Sequence, residues 1–343
     1  MQPMGLEMQP LTSYFPVILR GVVVGLVVSP LAILAARRFG LVDVPGSRDH
    51  KRHTQPTPLA GGLALAAALM VNSLWEGWLG EPMLLVGLGG AAVILCLGLL
   101  DDRRDLRAWQ KLLGQCLAAA LLIAGGVQVR LLGEPFGLLL TFLWIVGMTN
   151  AFNFVDSMDG LAIGLAGIAS GFFMLATIDA GQPHIAGLSA GLLGATVGMY
   201  FFNLTPAKLF LGDSGSQLLG FMLATIGVAY LPRDFAQAAS WYVPILVLGV
   251  PLFDAVLVVL SRARRGRKVY APGSDHTYHR LVRLNLDPPR AVFLMQLGGV
   301  ALGLLAFIGL EAGPLVGNLL AGTLATGGVV LVLFFERRAP PEG

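Results

Sequence analysis

Long apolar runs recur along almost the whole chain, interrupted only by short connectors rich in Gly, Pro and charge. A helix needs roughly 20 mostly apolar residues to cross a hydrocarbon core. About eleven runs approach that length: 14–36, 59–75, 82–100, 112–128, 136–152, 161–178, 184–203, 215–231, 241–260, 291–310 and 314–335. The period-2 alternation of barrel strands is absent, so these runs read as helices. Charged residues make up 13% of the chain, against about 25% in soluble domains. A soluble core could not hide the remainder, because globular proteins keep a polar shell. The expected fold class is therefore an all-α integral membrane protein, one polytopic domain over 1–343 built as a bundle of about eleven transmembrane helices. The first thirteen residues have no basic n-region, so the first run reads as a retained span. Cys96 and Cys116 lie inside apolar runs and read as small core residues.

Orientation follows from Lys and Arg, which concentrate in cytoplasmic loops. With the N-terminus placed outside, all of the 23 basic residues except Arg20, Arg130 and Arg233 fall in inner loops or at the C-terminus. The reverse placement inverts that ratio. A multi-pass membrane protein with its C-terminus in the cytoplasm is the expectation. The basic loops would also meet anionic lipid heads.

The same inner loops carry the polar clusters. Asp101 and Asp102 follow the third run with almost no polar spacer. Adjacent carboxylates repel, and a divalent cation or a base offsets their charge most readily. Asn150, Asn153, Asp156 and Asp159 recur every three residues after the fifth run, which would place them along one helical face. Asp213 stands between Gly212 and Ser214 where the eighth run begins, a position suited to a metal ligand at a helix start. Lys51, His53, Lys111, His276, His279 and Arg280 are cations, or can become so, for phosphate oxygens.

Taken in order, five segments resemble the polyprenyl-phosphate N-acetylhexosamine-1-phosphate transferase family. They are Asp43-x-Pro45 with Lys51-Arg52-His53, Pro58 and Gly61-Gly62; Asp101-Asp102 with Lys111; Asn150-Ala151-Phe152-Asn153-x-x-Asp156-x-x-Asp159-Gly160-Leu161; Phe210-x-Gly212-Asp213-Ser214-Gly215-Ser216; and His276-x-x-His279-Arg280. The likeness spans the chain from Asp43 to about Leu281 and is nearest to the bacterial branch. It departs from the usual pattern at Ser157 and Tyr278.

The resemblance implies catalytic loops at the cytoplasmic face and transfer of a sugar-1-phosphate, GlcNAc-1-phosphate in the first instance, from a UDP-sugar to undecaprenyl phosphate. UMP would leave, in the first membrane step of a cell-envelope glycan pathway. It implies Mg²⁺, with Mn²⁺ as the substitute, held by Asp213 and Asn153. Asp101, Asp102, Lys111 and Asp156 would form the catalytic set. Lys51, His53, Asn150, Asp159, Phe210, His276, His279 and Arg280 would bind substrate, with Phe210 stacked on uracil. The partners are the UDP-sugar, the polyprenyl phosphate and membrane lipid; a homodimer is compatible with the reading, and nucleic acid has no place in it. Two other classes fit parts of the pattern. Asp101–Asp105 also suits a membrane prenyltransferase binding a Mg²⁺–prenyl diphosphate, and Asp254 within the ninth run suits a transporter.

Overall fold

The structure, a computed structural model, describes residues 9–44, 56–130, 133–233, 237–269 and 273–339. Lys51, His53 and Pro45 lie outside the described residues. A 3-10 turn at Leu11–Tyr14 leads into α1 (Phe15–Phe39). There follow α2 (Gly61–Glu76), α3 (Pro82–Arg104), α4 (Ala108–Ala124), α5 (Phe136–Val155), α6 (Leu161–Asp179) and α7 (Pro183–Asn203). Then come α8 (Gly212–Ala229), two short helices α9 (Gln237–Ser240) and α10 (Tyr242–Val247), and α11 (Gly249–Arg264). A short α12 (Thr277–Arg283) precedes α13 (Pro288–Glu311) and α14 (Pro314–Arg338).

Among the described residues, seven helices are long and apolar enough to cross a membrane: α1 with its leading turn, α3, α5, α6, α7, α13 and α14. The other runs fold as shorter helices. α2 has 16 residues, α4 has 17 and α8 has 18. The ninth run is broken at Leu248 into α10 and α11. Pro251 explains the break, because it has no N–H to give the Val247 carbonyl and its ring crowds the preceding turn.

The outer helices turn large apolar side chains outward, among them Leu315, Leu319 and Val329 on α14 and Leu19, Leu31 and Leu34 on α1. In water that surface would be an aggregation liability; against acyl chains it is the stable arrangement. Cys96 also faces outward, so the expectation that it packs in the core is corrected; Cys116 is half-buried, and both thiols are free. α8 occupies the middle of the bundle, with every residue from Ser214 to Ala229 buried, packed against α2, α3, α5 and α6.

The start of α8 is fixed by close backbone contact. A Cβ on Gly98 of α3 would lie 2.3 Å from the Ser214 Cα, and one on Gly62 of α2 would lie 2.3 Å from the Ser214 Oγ. Only hydrogen side chains allow the three helices to meet there. Two short strands, β1 (Val42–Asp43) and β2 (Thr57–Pro58), pair antiparallel, and Phe210 bridges to Leu59. The Phe210 amide donates to the Pro58 carbonyl at 2.9 Å, while the Phe210 carbonyl accepts from the Ala60 and Gly61 amides. This small seam holds the chain entering α8 against the start of α2.

Candidate active site

Four helix ends meet at one end of the bundle. The last turns of α3 and α5 bring Asp101, Asp102 and Asn153; the first turns of α4 and α8 bring Lys111 and Asp213. The Lys111 ammonium lies between two carboxylates, paired with Asp101 and 2.5 Å from Asp213 Oδ2. Asn153 Nδ2 donates to Asp213 Oδ1 at 2.6 Å and to Ser216 Oγ at 3.0 Å. Asp101 is 4% exposed, and its other oxygen accepts from the Leu106 amide at 2.7 Å. A buried carboxylate paired in this way orients the lysine; the lysine and Asp213 are the groups that remain partly open.

Asp102 does something different. Its Oδ1 accepts from the Asp213 amide at 2.7 Å and its Oδ2 from the Ser214 amide at 3.2 Å. These are orphan donors at the start of α8, where the helix dipole also favours an anion. Gly212 has φ +68°, and a Cβ there would come within 2.7 Å of both Asp102 oxygens. The Asp102 carboxylate therefore sits at the start of α8 and anchors the backbone of Asp213.

Among the described residues no group of three or more His, Cys, Asp or Glu side chains is placed to hold a metal. A divalent cation here would complete its shell with water and phosphate oxygens. Mg²⁺ binds in that manner, using one or two protein carboxylates. Asp213 already holds a cation, the Lys111 ammonium, and the Asn153 amide flanks its other oxygen. Asp213 and Asn153 would supply the one or two protein donors that Mg²⁺ takes, and the described residues do not form an all-protein cage.

A second cluster lies beside this one. α11 and α14 hold the segment 273–283 through buried charges. Arg262 donates from two nitrogens to both oxygens of Asp275, each at 2.7 Å. Burial alone would raise the Asp275 carboxyl, but the Arg262 guanidinium and His276 hold it below the usual carboxylate range. Arg280 is fully buried, donating to Ser261 Oγ at 2.6 Å and to the Asp275 carbonyl at 3.0 Å, with Glu336 of α14 at 2.8 Å. The Arg280 guanidinium pins α12 to α11 and α14. His276 meets Asp254 at 2.9 Å and packs edge-on against Phe154, the neighbour of Asn153. His279 lies one turn further on, its ring centroid 5.8 Å from that of His276.

A model of glycosyl transferase family 4 matches residues 84–231, the stretch that carries Asp101, Lys111, Asn153 and Asp213. A protein of Bacillus subtilis (strain 168) named probable undecaprenyl-phosphate N-acetylglucosaminyl 1-phosphate transferase is 32% identical over 293 residues, which is 82% of this chain and 81% of that protein. This chain belongs to glycosyl transferase family 4. The decaprenyl-phosphate N-acetylglucosaminephosphotransferase of Mycolicibacterium smegmatis is 34% identical to it over 351 residues, covering 90% of this chain and 85% of the relative. The undecaprenyl-phosphate alpha-N-acetylglucosaminyl 1-phosphate transferase of Escherichia coli (strain K12) is 29% identical over 294 residues, covering 81% and 78%.

Within this family 4 chain the remaining expected site residues are spread around the core. Asp156 is half-buried just beyond α5, and burial together with the charges of Asp102 and Asp159 pushes its carboxyl up to about 8. Asp159 accepts from the Ala207 amide at 3.1 Å, tying the loop before α6 to the loop before α8. Phe210 is half-buried and held by the seam described above. Asn150 lies about one turn deeper than Asn153 and exchanges amide hydrogen bonds with Gln115, which also reaches Gln217 at 3.0 Å. This amide network joins α4, α5 and α8. Sequence reasoning passed over Gln115, Gln217, Ser261 and Glu336. Polar residues inside apolar runs were the available signal for the two glutamines; Glu336 had none, because its partner is 56 residues away.

Proposed function

We propose that this chain transfers a sugar-1-phosphate, GlcNAc-1-phosphate by preference, from a UDP-sugar to a polyprenyl phosphate and releases UMP. One observation carries the reading: the Lys111 ammonium held between Asp101 and Asp213, with Asn153 on the second Asp213 oxygen, at the end of an apolar bundle. The relatives named above act on polyprenyl phosphates and carry N-acetylglucosamine in their names, which supports the same acceptor and donor here.

The acceptor phosphate oxygen attacks the β-phosphorus of the UDP-sugar. The bond from that phosphorus to the bridging oxygen breaks, and UMP departs with the electron pair. One phosphoanhydride replaces another, so the reaction is close to balanced and runs in both directions. The nucleophile is already ionised near neutral pH, and the work of the site is to bring two anions together. Lys111 supplies a fixed positive charge at the meeting point. Asp101 holds that lysine in place, and Asp102 holds the backbone of Asp213. Mg²⁺, bound at Asp213 and Asn153, would offset charge on the diphosphate oxygens. Asp159 and Phe210 lie on the two loops that flank α8's entry, which suits contact with the nucleoside.

The site belongs on the cytoplasmic side, where UDP-sugars are supplied and where the Lys/Arg distribution puts these loops. A transporter would need its ionisable groups along a path through the bundle. Asp254, the residue that favoured that reading, is instead bonded to His276 and Thr277 beside the active-site end.

Isotope exchange tests the proposal. Purified protein with polyprenyl phosphate and Mg²⁺ should incorporate labelled UMP into UDP-GlcNAc, and EDTA should stop it. Asp213→Ala should abolish exchange while the protein still folds. Absence of exchange in the wild-type protein with UDP-GlcNAc, UDP-GalNAc and UDP-MurNAc-pentapeptide would remove the reading.

A further inference from the structure

The Asp254 carboxylate has 0% exposure within α11. An ionised group so deep persists only where donors meet both of its oxygens. Oδ1 accepts from the Thr277 amide at 2.6 Å, the first N–H of α12. Oδ2 lies 2.9 Å from His276 Nδ1. For an ionised Asp254 that contact is a hydrogen bond only if Nδ1 carries the proton. The pairing thus selects a tautomer and turns Nε2 toward whatever the ring faces.

The surrounding charges leave Asp254 and His276 facing one another. Asp254 faces His276 from α11, and Asp275 precedes it in the chain. Asp275 is matched by the two-pronged contact from Arg262, whose guanidinium also sits 5.8 Å from the Phe154 ring centroid. His279 is the other titratable neighbour. With Asp275 and Arg262 paired, the Asp254 carboxylate is left with His276 Nδ1 and the Thr277 amide as its partners. Phe154 stacks edge-on to the imidazole and is the residue after Asn153, so the ring lies against the end of α5 that carries Asn153.

We propose that Asp254 is a positioning residue that holds His276 with its proton on Nδ1 and fixes the ring's orientation, so that Nε2 is the edge presented to the sugar nucleotide. The assignment of the ring's target rests on the transferase reading; the Asp254–His276 pairing does not.

Two measurements test it. Nitrogen-15 NMR of histidine-labelled protein reads the tautomer directly, and the chain has only 5 histidines, so His276→Gln identifies the relevant signal by its loss. Wild-type protein should show a protonated Nδ1 at His276. A neutral ring protonated on Nε2 alone overturns the proposal without any Asp254 variant. In the transfer assay, Asp254→Asn and His276→Gln should each lower kcat by about 100-fold or more, and the double variant should be no worse than either single one, because Asp254 acts through the ring. Multiplying losses in the double variant, or wild-type kcat in His276→Gln, also overturn it. A wild-type protein that catalyses no UMP exchange would remove the proposed function, while the NMR signal would still decide the pairing.

Discussion

Replacing Asp102 separates an anchoring role from a direct chemical one. Its carboxylate accepts two backbone N–H bonds, at 2.7 Å and 3.2 Å, from the first residues of α8. Hydrogen bonds to a charged group contribute about 1.5–3 kcal/mol each, and loss of a helix cap costs about 0.5–2 kcal/mol. The site is half-buried, so water replaces part of what is lost. Asp102→Ala should therefore destabilise the protein by about 3 kcal/mol. Asp102→Asn keeps one acceptor oxygen but sets an NH₂ against the second amide, and should cost about 1–2 kcal/mol. Because one of those amides belongs to Asp213, both changes shift the carboxylate that Lys111 and Asn153 hold. A displacement near 1 Å is enough for about a 100-fold loss of rate. Thermal unfolding in detergent and UMP exchange, measured on the same preparations, read the two effects. Loss of exchange with an unchanged unfolding midpoint would refute the anchoring argument and restore Asp102 as a direct participant. Wild-type values for both in Asp102→Ala would refute any role.

Two further outcomes follow from the geometry. Gly98→Ala puts a methyl group 2.3 Å from the Ser214 Cα, so it should destabilise by about 1–3 kcal/mol and cut exchange by about 100-fold, whereas Gly89→Ala on the same helix meets nothing within 4 Å and should be silent; equal behaviour of the two variants would contradict the close-contact account. Asp156 titrates near 8 in the folded protein against 3.8 ordinarily. Its folded form therefore keeps a proton that the unfolded chain releases near pH 4, and stability should fall as pH rises from about 4 to about 8 and then level off. Unfolding midpoints in EDTA should show a shallower decline for Asp156→Asn than for wild type; parallel curves would place the titrating group elsewhere.

Hydropathy and charge distribution by themselves determined the class of this protein. A run such as 161–178 can satisfy its backbone in lipid only as a helix. Motif spacing also singled out Asp101, Lys111, Asn153 and Asp213, and these four side chains do converge. What those side chains do to one another was decided by tertiary packing. Asp102 and Asp213 are 111 residues apart, and no local pattern says that one carboxylate would seat the other's backbone amide. Adjacent Asp101 and Asp102 look equivalent in sequence, yet one faces Lys111 and the other faces α8, because successive residues on a helix point about 100° apart. Arg280 carried the chemistry of a phosphate ligand, but Ser261, Asp275 and Glu336 enclose it. Composition fixes which solvent a segment prefers; hydrogen bonds between distant segments depend on where rigid helices end, and that is settled only when the helices are packed together.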